Sequence, residues 1–335
     1  INQLNMIQDK TNMNKKLDSV MNLLDNTSTA FGRRLFRYKI SHPIINISTL
    51  KYHYDIIESL IDKYSDIEKI LKKINDIERY HRKITIGVLD PGSFVHLNNS
   101  YRYILRLYEY ISNYNDTTIL SLLPTPEICT QFKTFIDTYT SHLDMEHILN
   151  SRQDNIKHSI FKRGLYSDID TLQDKIDSIM DYFITFGHCL SKHIDSKNDT
   201  IVKLKITDKD GHFFSTTKAK GRILQQKLLT VPTITWSCKK SDACTLQTTD
   251  LDCKRLTGSV KITSSIIKQK SERLHFYYQK MNKLCIETFK QLLLEYDQSY
   301  NQVLKKIVES VAYIDVSISN TKSAVINNYV KPIIV

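Results

Sequence analysis

Apolar residues recur every three or four positions from Ile1 to about Arg163, the spacing of helices that each bury one face. Ser48 is placed to cap a helix with Leu50, Tyr54, Ile57, Leu60 and Ile61 inward. Ser65-x-x-Glu68 reads as a capping box ahead of Ile67, Ile70, Leu71 and Ile74. Pro91-Gly92 reads as a loop, after which Ser93 opens a helix with Leu97, Tyr101, Ile104, Leu105 and Tyr108 on its inner side. Thr125-Pro126-Glu127 sets Pro at a first helical position, where its missing N–H is no loss, and leads into Ile128, Phe132 and Phe135.

A longer helix is predicted from near Ser167 towards His193, through Leu172, Ile176, Ile179, Phe183 and Leu190. Between Ser196 and Gly258 the period drops to two. Val202, Leu204 and Ile206 alternate with Lys203, Lys205 and Thr207, as in a half-exposed strand. Asp210-Gly211 is a hairpin signal, His212 to Thr217 continue as strand, and Pro232 to Trp236 suggest another. Beyond Gly258 no Gly or Pro occurs until Pro332. There Ile267, Leu274, Tyr278, Met281, Cys285, Phe289, Leu292, Tyr296, Tyr300, Val303 and Ile307 mark one long helix with a narrow, coiled-coil-like seam. The pattern therefore goes out along one helix, folds a small β module, and returns along another.

Composition sharpens this picture. Only 8 Gly and 6 Pro in 335 residues favour long helices, and 41% hydrophobic with 25% charged residues is ordinary for a soluble globular chain. The net charge of +11 favours polyanionic partners. From Thr200 to Gly258 eleven basic residues face five acidic ones, a local charge of +6. No apolar run reaches bilayer length and no signal-peptide pattern opens the chain, so no membrane partner and an intracellular setting are expected. The six cysteines form no disulfide framework and are expected as reduced thiols. A chain that begins at Ile1 and ends at Val335 reads as a piece of something longer.

One stretch carries a more specific message. From Leu24 to Pro43, Thr29 can cap a short helix, Phe31, Leu35 and Tyr38 fall on one face, and Pro43 bars further helix. Gly32 inside that helix costs about 1 kcal/mol against Ala, which predicts a neighbouring backbone passing close. The wording Asp-x-Thr-x-Thr-x-x-Gly-x-Arg-Leu, with a Pro about two turns later, resembles the start of the core domain of MutS-type DNA mismatch-repair ATPases. Asp76-Ile77-Glu78-Arg79 with Pro91 and Leu97 is similar to a second core stretch of that family. Phe161-Lys162-Arg163-Gly164 with Asp168 and Leu172 is similar to the approach to its first lever helix. Leu204-Lys205-Ile206, Gly211-His212-Phe213-Phe214 and Thr217-Lys218 resemble the opening strands of its DNA clamp, and Ile262-Thr263-Ser264-Ser265-Ile266 the start of the returning lever. Asp315 and Asn328-Tyr329-Val330-Lys331-Pro332 resemble the end of the core.

The resemblance implies a mainly α fold: a helical core bundle with long antiparallel lever helices and a small inserted β-rich clamp domain. Its parts fall at 1–164 (core), 165–199 (outgoing lever), 200–258 (clamp), 259–310 (returning lever) and 311–335 (C-terminal part of the core). It implies a role in mismatch repair, a homodimer gripping double-stranded DNA by its backbone, and ATP with Mg bound by the full-length protein. Lys218, Lys220, Arg222, Lys239, Lys240, Lys254 and Arg255 are the candidate phosphate contacts, because ammonium and guanidinium groups on a clamp position DNA without reading bases. No catalytic, cofactor or metal residue is expected in this chain. It has no Gly-x4-Gly-Lys-Ser/Thr, since the one such spacing, Gly87 to Gly92, is followed by Ser93. None of the twelve Phe begins the Phe-x-Glu wedge of the family.

Three positions depart from the family: Lys39 stands at a usual Trp, Ser264 at a usual Pro, and Val260 where a basic residue is common. For that last one Lys254, Arg255 and Lys261 are near enough to substitute. The Ile-, Asn-, Lys- and Tyr-rich wording points to an AT-rich genome, and the divergent motifs resemble MutS proteins of giant DNA viruses, which would place the protein in cytoplasm, nucleus or a viral replication compartment.

Other chemistries fit these residues less well. Cys238, Cys244 and Cys253 with His212 could ligate zinc, but their gaps lack the Cys-x2-Cys knuckle, and small buried hydrophobes are the expectation. His142, Asp144, Glu146 and His147 do not make His-Glu-x-x-His and read as a solvated helical face. A coiled-coil interaction arm of a chromosome-associated ATPase would share the same pattern; DNA binding separates the two.

Overall fold

The computed structural model describes residues 6, 19–150, 155–238 and 241–334, with the backbone alone for 241–243. The chain divides into two units, Ile1–Gln153 with Glu287–Val335, and Asp154–Ile286. The fold is mainly α with small antiparallel sheets.

The first unit is built of α1 (Val20–Leu24), α2 (Ala30–Ser41), α3 (Ile47–Leu60), α4 (Tyr64–Leu71), α5 (Ile77–Thr85), α6 (Pro91–Ser112), α7 (Thr117–Leu120), α8 (Pro126–His142) and α9 (Met145–Asn150). Its remaining element is the part of α12 (Ser265–Ile326) beyond residue 286. Aromatic rings knit the core edge to face, with Tyr101 against Phe132 and Phe135, and Phe94 against Tyr139 and Phe289. The buried Tyr139 hydroxyl donates to Asn98 Oδ1 at 2.8 Å, so the polar atom inside is satisfied.

Several helix starts lie elsewhere than the sequence reading places them. Asn46, two residues before Ser48, caps α3, and its buried residues are Ile56 and Leu60 while Ile61 is exposed. At α4 there is no capping box: the helix begins at Tyr64 without a side-chain cap, and Glu68 instead accepts from Lys322 and pairs with Lys72. Pro91 is not in a loop but is the first residue of α6, capped by Asp90 through Ser93 N. On α2 the buried residues are Phe31, Gly32 and Phe36, whereas Tyr38 is exposed.

The start of α2 explains its wording. Thr29 caps the helix by accepting from Gly32 N. Asp315, fully buried on α12, accepts from Ser28 N, Thr29 N and Thr29 Oγ1 at 2.7–2.9 Å. A Cβ on Gly32 would overlap that carboxylate, so the glycine makes room for a side chain and not, as expected, for a passing backbone. Burial pushes the Asp315 carboxyl up while its three donors pull it down; burial is the larger influence. Arg34 reaches from α2 to Asp76 and Glu78, which joins the first family-like stretch to the second. Lys39 lays its ammonium over the Tyr313 ring at 4.3 Å, and burial pushes it down to about 8.

The second unit holds α10 (Ser167–Ile194), β1 (Lys203–Thr207), β2 (Gly211–Thr217), α11 (Lys218–Leu228), β3 (Thr233–Cys238), β4 (Ser241–Gln247), β5 (Asp252–Arg255), β6 (Ser259–Thr263) and the start of α12. α10 and α12 run antiparallel: Lys157, ahead of α10, sits over Tyr278, while Tyr182 past the middle of α10 lies under Lys270 early in α12. The strands make a four-stranded antiparallel sheet in the order β1-β2-β6-β5 and a separate β3-β4 hairpin. Ser259–Thr263, expected to open the returning helix, is thus a central strand. The helix itself begins at Ser265, with Ser264 Oγ accepting from Ile267 N, which supplies the cap at the position where the family often has Pro. It then runs unbroken to Ile326 over 62 residues. α11 interrupts with a helix the stretch whose pattern reads as β-rich. No helix among the described residues is long and apolar enough to cross a membrane.

Candidate nucleic-acid interface

The strand register decides where each basic side chain of the second unit can act. Opposed residues in an antiparallel ladder share a face. Thr216 pairs Val260 and Arg255 pairs Val260, so these three lie on one face, with Phe214, Ile262 and Cys253. This face is covered: Phe214 meets Phe183 and Phe186 of α10, and Val260 lies beneath α11. Gly221 is what lets α11 sit down, because a Cβ there would come within 2.5 Å of the Val260 side chain. Val260 is therefore a packing residue, and a basic side chain has no room at its position.

The opposite face carries a basic rung. Lys203 pairs Ser215, Ser215 pairs Lys261, and Lys261 pairs Lys254, one line across all four strands. Lys205 follows on the same face two residues along β1. At about 4.8 Å per strand the backbones of Lys203 and Lys254 lie about 14 Å apart. Lys203, Lys205 and Lys254 are exposed, whereas Lys261 is mostly buried over the Phe213 ring, with its ammonium 2.8 Å from Asp210. That ammonium in turn holds the Asp210 carboxyl below the usual range.

On α11 the inward residues Gly221, Leu224 and Leu228 define the buried line. At 100° per residue Lys218 and Arg222 fall on one flank, with Gln225, and Lys220 and Lys227 on the other. The Gln225 amide donates to the Cys253 carbonyl of β5, which turns the Lys218–Arg222 flank towards β5 and Arg255. Lys227 reaches the Ile194 carbonyl at the end of α10, so the Lys220 flank faces the other way. α11 starts at Thr217 with no side-chain cap and no acidic residue in its first turn. Its free amides add partial positive charge beside Lys218.

Of the seven candidate residues, the fold gathers Lys218, Arg222 and Arg255 at one edge, sets Lys220 across the helix from them, and places Lys254 on the far face of the sheet. Lys239 and Lys240 lie outside the described residues. Sequence reasoning left out Lys203 and Lys205, although the strict alternation along β1 was the signal that puts both on one face with Lys254. Among the described residues no ion pair engages Lys203, Lys205, Lys218, Lys220, Arg222, Lys254 or Arg255.

The remaining His and carboxylate clusters have local partners. His142 Nδ1 lies 2.9 Å from the Tyr296 hydroxyl, and Asp144 accepts from Glu146 N and His147 N as a cap. His212 stacks on Phe183 and its Nδ1 meets Ser271 Oγ at 3.0 Å. Cys253 is on the four-stranded sheet, whereas Cys238 and Cys244 are on the separate β3-β4 hairpin. No group of three or more His, Cys, Asp and Glu that could hold a metal occurs among the described residues.

Comparison with known proteins gives a consistent answer. The family model for MutS domain III matches residues 1–321. A mutS homolog of Acanthamoeba polyphaga mimivirus is 28% identical over 99% of this chain and 30% of its own length. The DNA mismatch repair protein MutS of Clostridioides difficile is 28% identical over 96% of this chain and 31% of its own. A mitochondrial DNA mismatch repair protein mutS homolog of Sarcophyton glaucum is 23% identical over 95% of this chain and 30% of its own. The chain thus spans about a third of the length of these relatives.

Proposed function

We propose, from the premise that this chain belongs to the MutS family as its domain III, that it grips duplex DNA by the phosphate backbone during mismatch repair. The second unit is the gripping part. The observation that carries this reading is the basic rung Lys203–Lys254 with Lys205 on one face of the sheet, and Lys218, Arg222 and Arg255 at the α11 edge. Lysines on flexible stems and an uncapped helix start ask only for negative charge within reach, so such surfaces position a duplex and leave its sequence unread.

In the full-length protein the long α12 couples this grip to an ATP-hydrolysing domain outside the present chain, where ATP and Mg bind. The protein acts as a dimer, so that two clamps close on one duplex and each contributes only part of the affinity. A helix without Gly or Pro from Ser265 to Ile326 suits a mechanical link, because it has no built-in hinge residue.

The test is duplex binding by the full-length dimer as salt is raised. Each phosphate neutralised releases counterions, so affinity should fall linearly in log–log form with a slope near −0.9 per contact. Replacing Lys203, Lys205 and Lys254 together by Glu should weaken binding equally on matched sequences of any composition and flatten the slope by about 3. Unchanged affinity and slope in that variant would remove the sheet face from the interface. Failure of the intact protein to bind duplex at about 50 mM salt would remove the grip altogether.

A further inference from the structure

The β3-β4 hairpin holds two sulfurs in contact. Thr233 pairs Gln247, Ile234 pairs Leu246, Thr235 pairs Thr245 and Trp236 pairs Cys244; the register then shifts, so that Cys238 pairs Ser241. The irregularity swings Cys238 diagonally onto Cys244, and their Sγ atoms stand 2.9 Å apart. A disulfide bond is about 2.05 Å long, so less than an ångström of motion separates contact from a bond. Both side chains are partly exposed, which leaves them open to a small reagent. The other cysteines are differently placed: Cys285 is buried on Met281, and burial pushes the thiols of Cys129, Cys189 and Cys253 up, away from the reactive thiolate.

We propose that Cys238 and Cys244 are an oxidisable pair that closes into a disulfide within one chain when the protein meets a peroxide. One thiolate attacks the O–O bond of hydrogen peroxide, becoming a sulfenic acid and releasing hydroxide, which takes a proton to give water. The neighbouring thiol, giving up its proton, attacks that sulfur; the S–S bond forms and the sulfenic oxygen leaves as a second water. Two thiols and one peroxide thus yield one disulfide and two waters, with two electrons passing from sulfur to oxygen. The second step is favoured because its partner is already in contact, whereas another chain would have to diffuse in. The bond would close a ring of seven residues at the hairpin end, which contains Lys239 and Lys240. The inference rests on the hairpin alone and stands whether or not the second unit binds DNA.

The molecule carries its own reporter. Trp236, the single tryptophan, is the cross-strand neighbour of Cys244 and packs on Phe186 and Tyr182 with ring centroids 4.6 and 5.2 Å away. Its buried indole N–H has no hydrogen-bond partner among the described residues, so its emission should follow any change at the adjacent sulfurs.

The experiment is peptide mapping of the full chain after hydrogen peroxide, with alkylation of remaining thiols and chelator present throughout. Trypsin cuts after Lys239 and Lys240, so oxidised protein should keep the Leu228–Lys239 and Ser241–Lys254 peptides joined until a reductant frees them. Because the second peptide also holds Cys253, the joined pair should persist in Cys253→Ser and vanish in Cys244→Ser and in Cys238→Ser. Trp236 emission should shift on oxidation, return with dithiothreitol, and stay unmoved by peroxide in Cys244→Ser. Full alkylation of both cysteines after peroxide would overturn the proposal. So would joined peptides that survive Cys244→Ser, or a cross-link that runs between chains on a non-reducing gel.

Discussion

At the start of α2, one carboxylate, Asp315, serves three donors of a single turn, and a missing Cβ at Gly32 leaves it the space. In the second unit at least six lysines and arginines stand exposed on a sheet face and a helix edge, none tied to a described partner. The first arrangement is buried and its three donors depend on one carboxylate; the second is wet and its members are interchangeable. Burial makes a polar group dependent on geometry, because an unmet donor costs far more than a met one gains. Exposure makes a charge dependent only on sign and reach. The two regions should therefore break differently, one through folding and the other through salt.

The largest effect belongs to Asp315. In Asp315→Ala, Ser28 N, Thr29 N and Thr29 Oγ1 lose their acceptor in a dry site, and the first unit should lose about 4 kcal/mol in denaturant unfolding. Gly32→Ala should cost about as much, for the overlap with the same carboxylate. If the glycine is there for Asp315, the two losses do not add: once Asp315 is Ala, the Gly32 change should cost about 1 kcal/mol or less. Additive losses would show that Gly32 answers to something else.

Acid gives a second separation, of about half that size. His81 meets the Tyr101 hydroxyl at 2.7 Å, and burial pushes the ring down to about 3. A histidine kept neutral in the folded state and free to charge in the unfolded chain supports the fold fully above its unfolded pKa, near 6.5. That support is lost as pH falls from there towards 3. Between pH 7 and 5 the loss should be about 2 kcal/mol, and His81→Gln should flatten it. An unchanged pH slope in that variant would assign the acid sensitivity to other groups.

The same contrast sorts what could be read from the chain. The Asp25-to-Leu35 wording, the single long helix after Gly258, the Asp210-Gly211 hairpin and the strand at Trp236 all stood in the sequence, because each rests on local spacing or a residue with few substitutes. The helix caps were misplaced where two polar residues compete within one turn: Asn46 beat Ser48, and Glu68 was drawn from the expected capping box by Lys322, 254 residues away. Tyr38 lies next to Phe31 on the α2 wheel and Phe36 lies well round from it, and the contacts of Phe36 with Val316 and Met21 are what turn the buried side towards Phe36 and away from Tyr38. α11 is hard to read because Gly221 interrupts a short helix with few apolar positions, while its reason for being, the seat on Val260, is tertiary. The candidate contacts were half legible for a related reason. Counting charge finds the module, but only the strand register tells that Lys203 and Lys205 share a face with Lys254.

The seat of α11 offers a test in which a buried contact and exposed charges meet within the second unit. Gly221→Ala would press a methyl against Val260 and should cost the second unit about 1–3 kcal/mol. Val260→Ala in the same chain should recover part of that. Because Lys218 and Arg222 ride on α11, the single change should also lower duplex affinity while leaving Lys203 and Lys254 in place. A stability loss with unaltered binding would put the grip on the sheet face alone.

The smallest effect is the most discriminating. Lys254 and Lys261 are paired on adjacent strands and carry the same charge, yet Lys254 is exposed and Lys261 is held by Asp210 above Phe213. If exposed charge alone makes the grip, Lys254→Met should reduce the salt slope of duplex binding by about 1, and Lys261→Met should leave it unchanged. Asp210→Asn then becomes informative, since it releases the Lys261 ammonium without adding a cation. Binding should tighten modestly and the slope steepen by less than 1, because the freed group still rests partly buried on its ring. Equal losses from Lys254→Met and Lys261→Met would mean that Asp210 yields its partner to a phosphate, and that the rung works as one unit of three lysines.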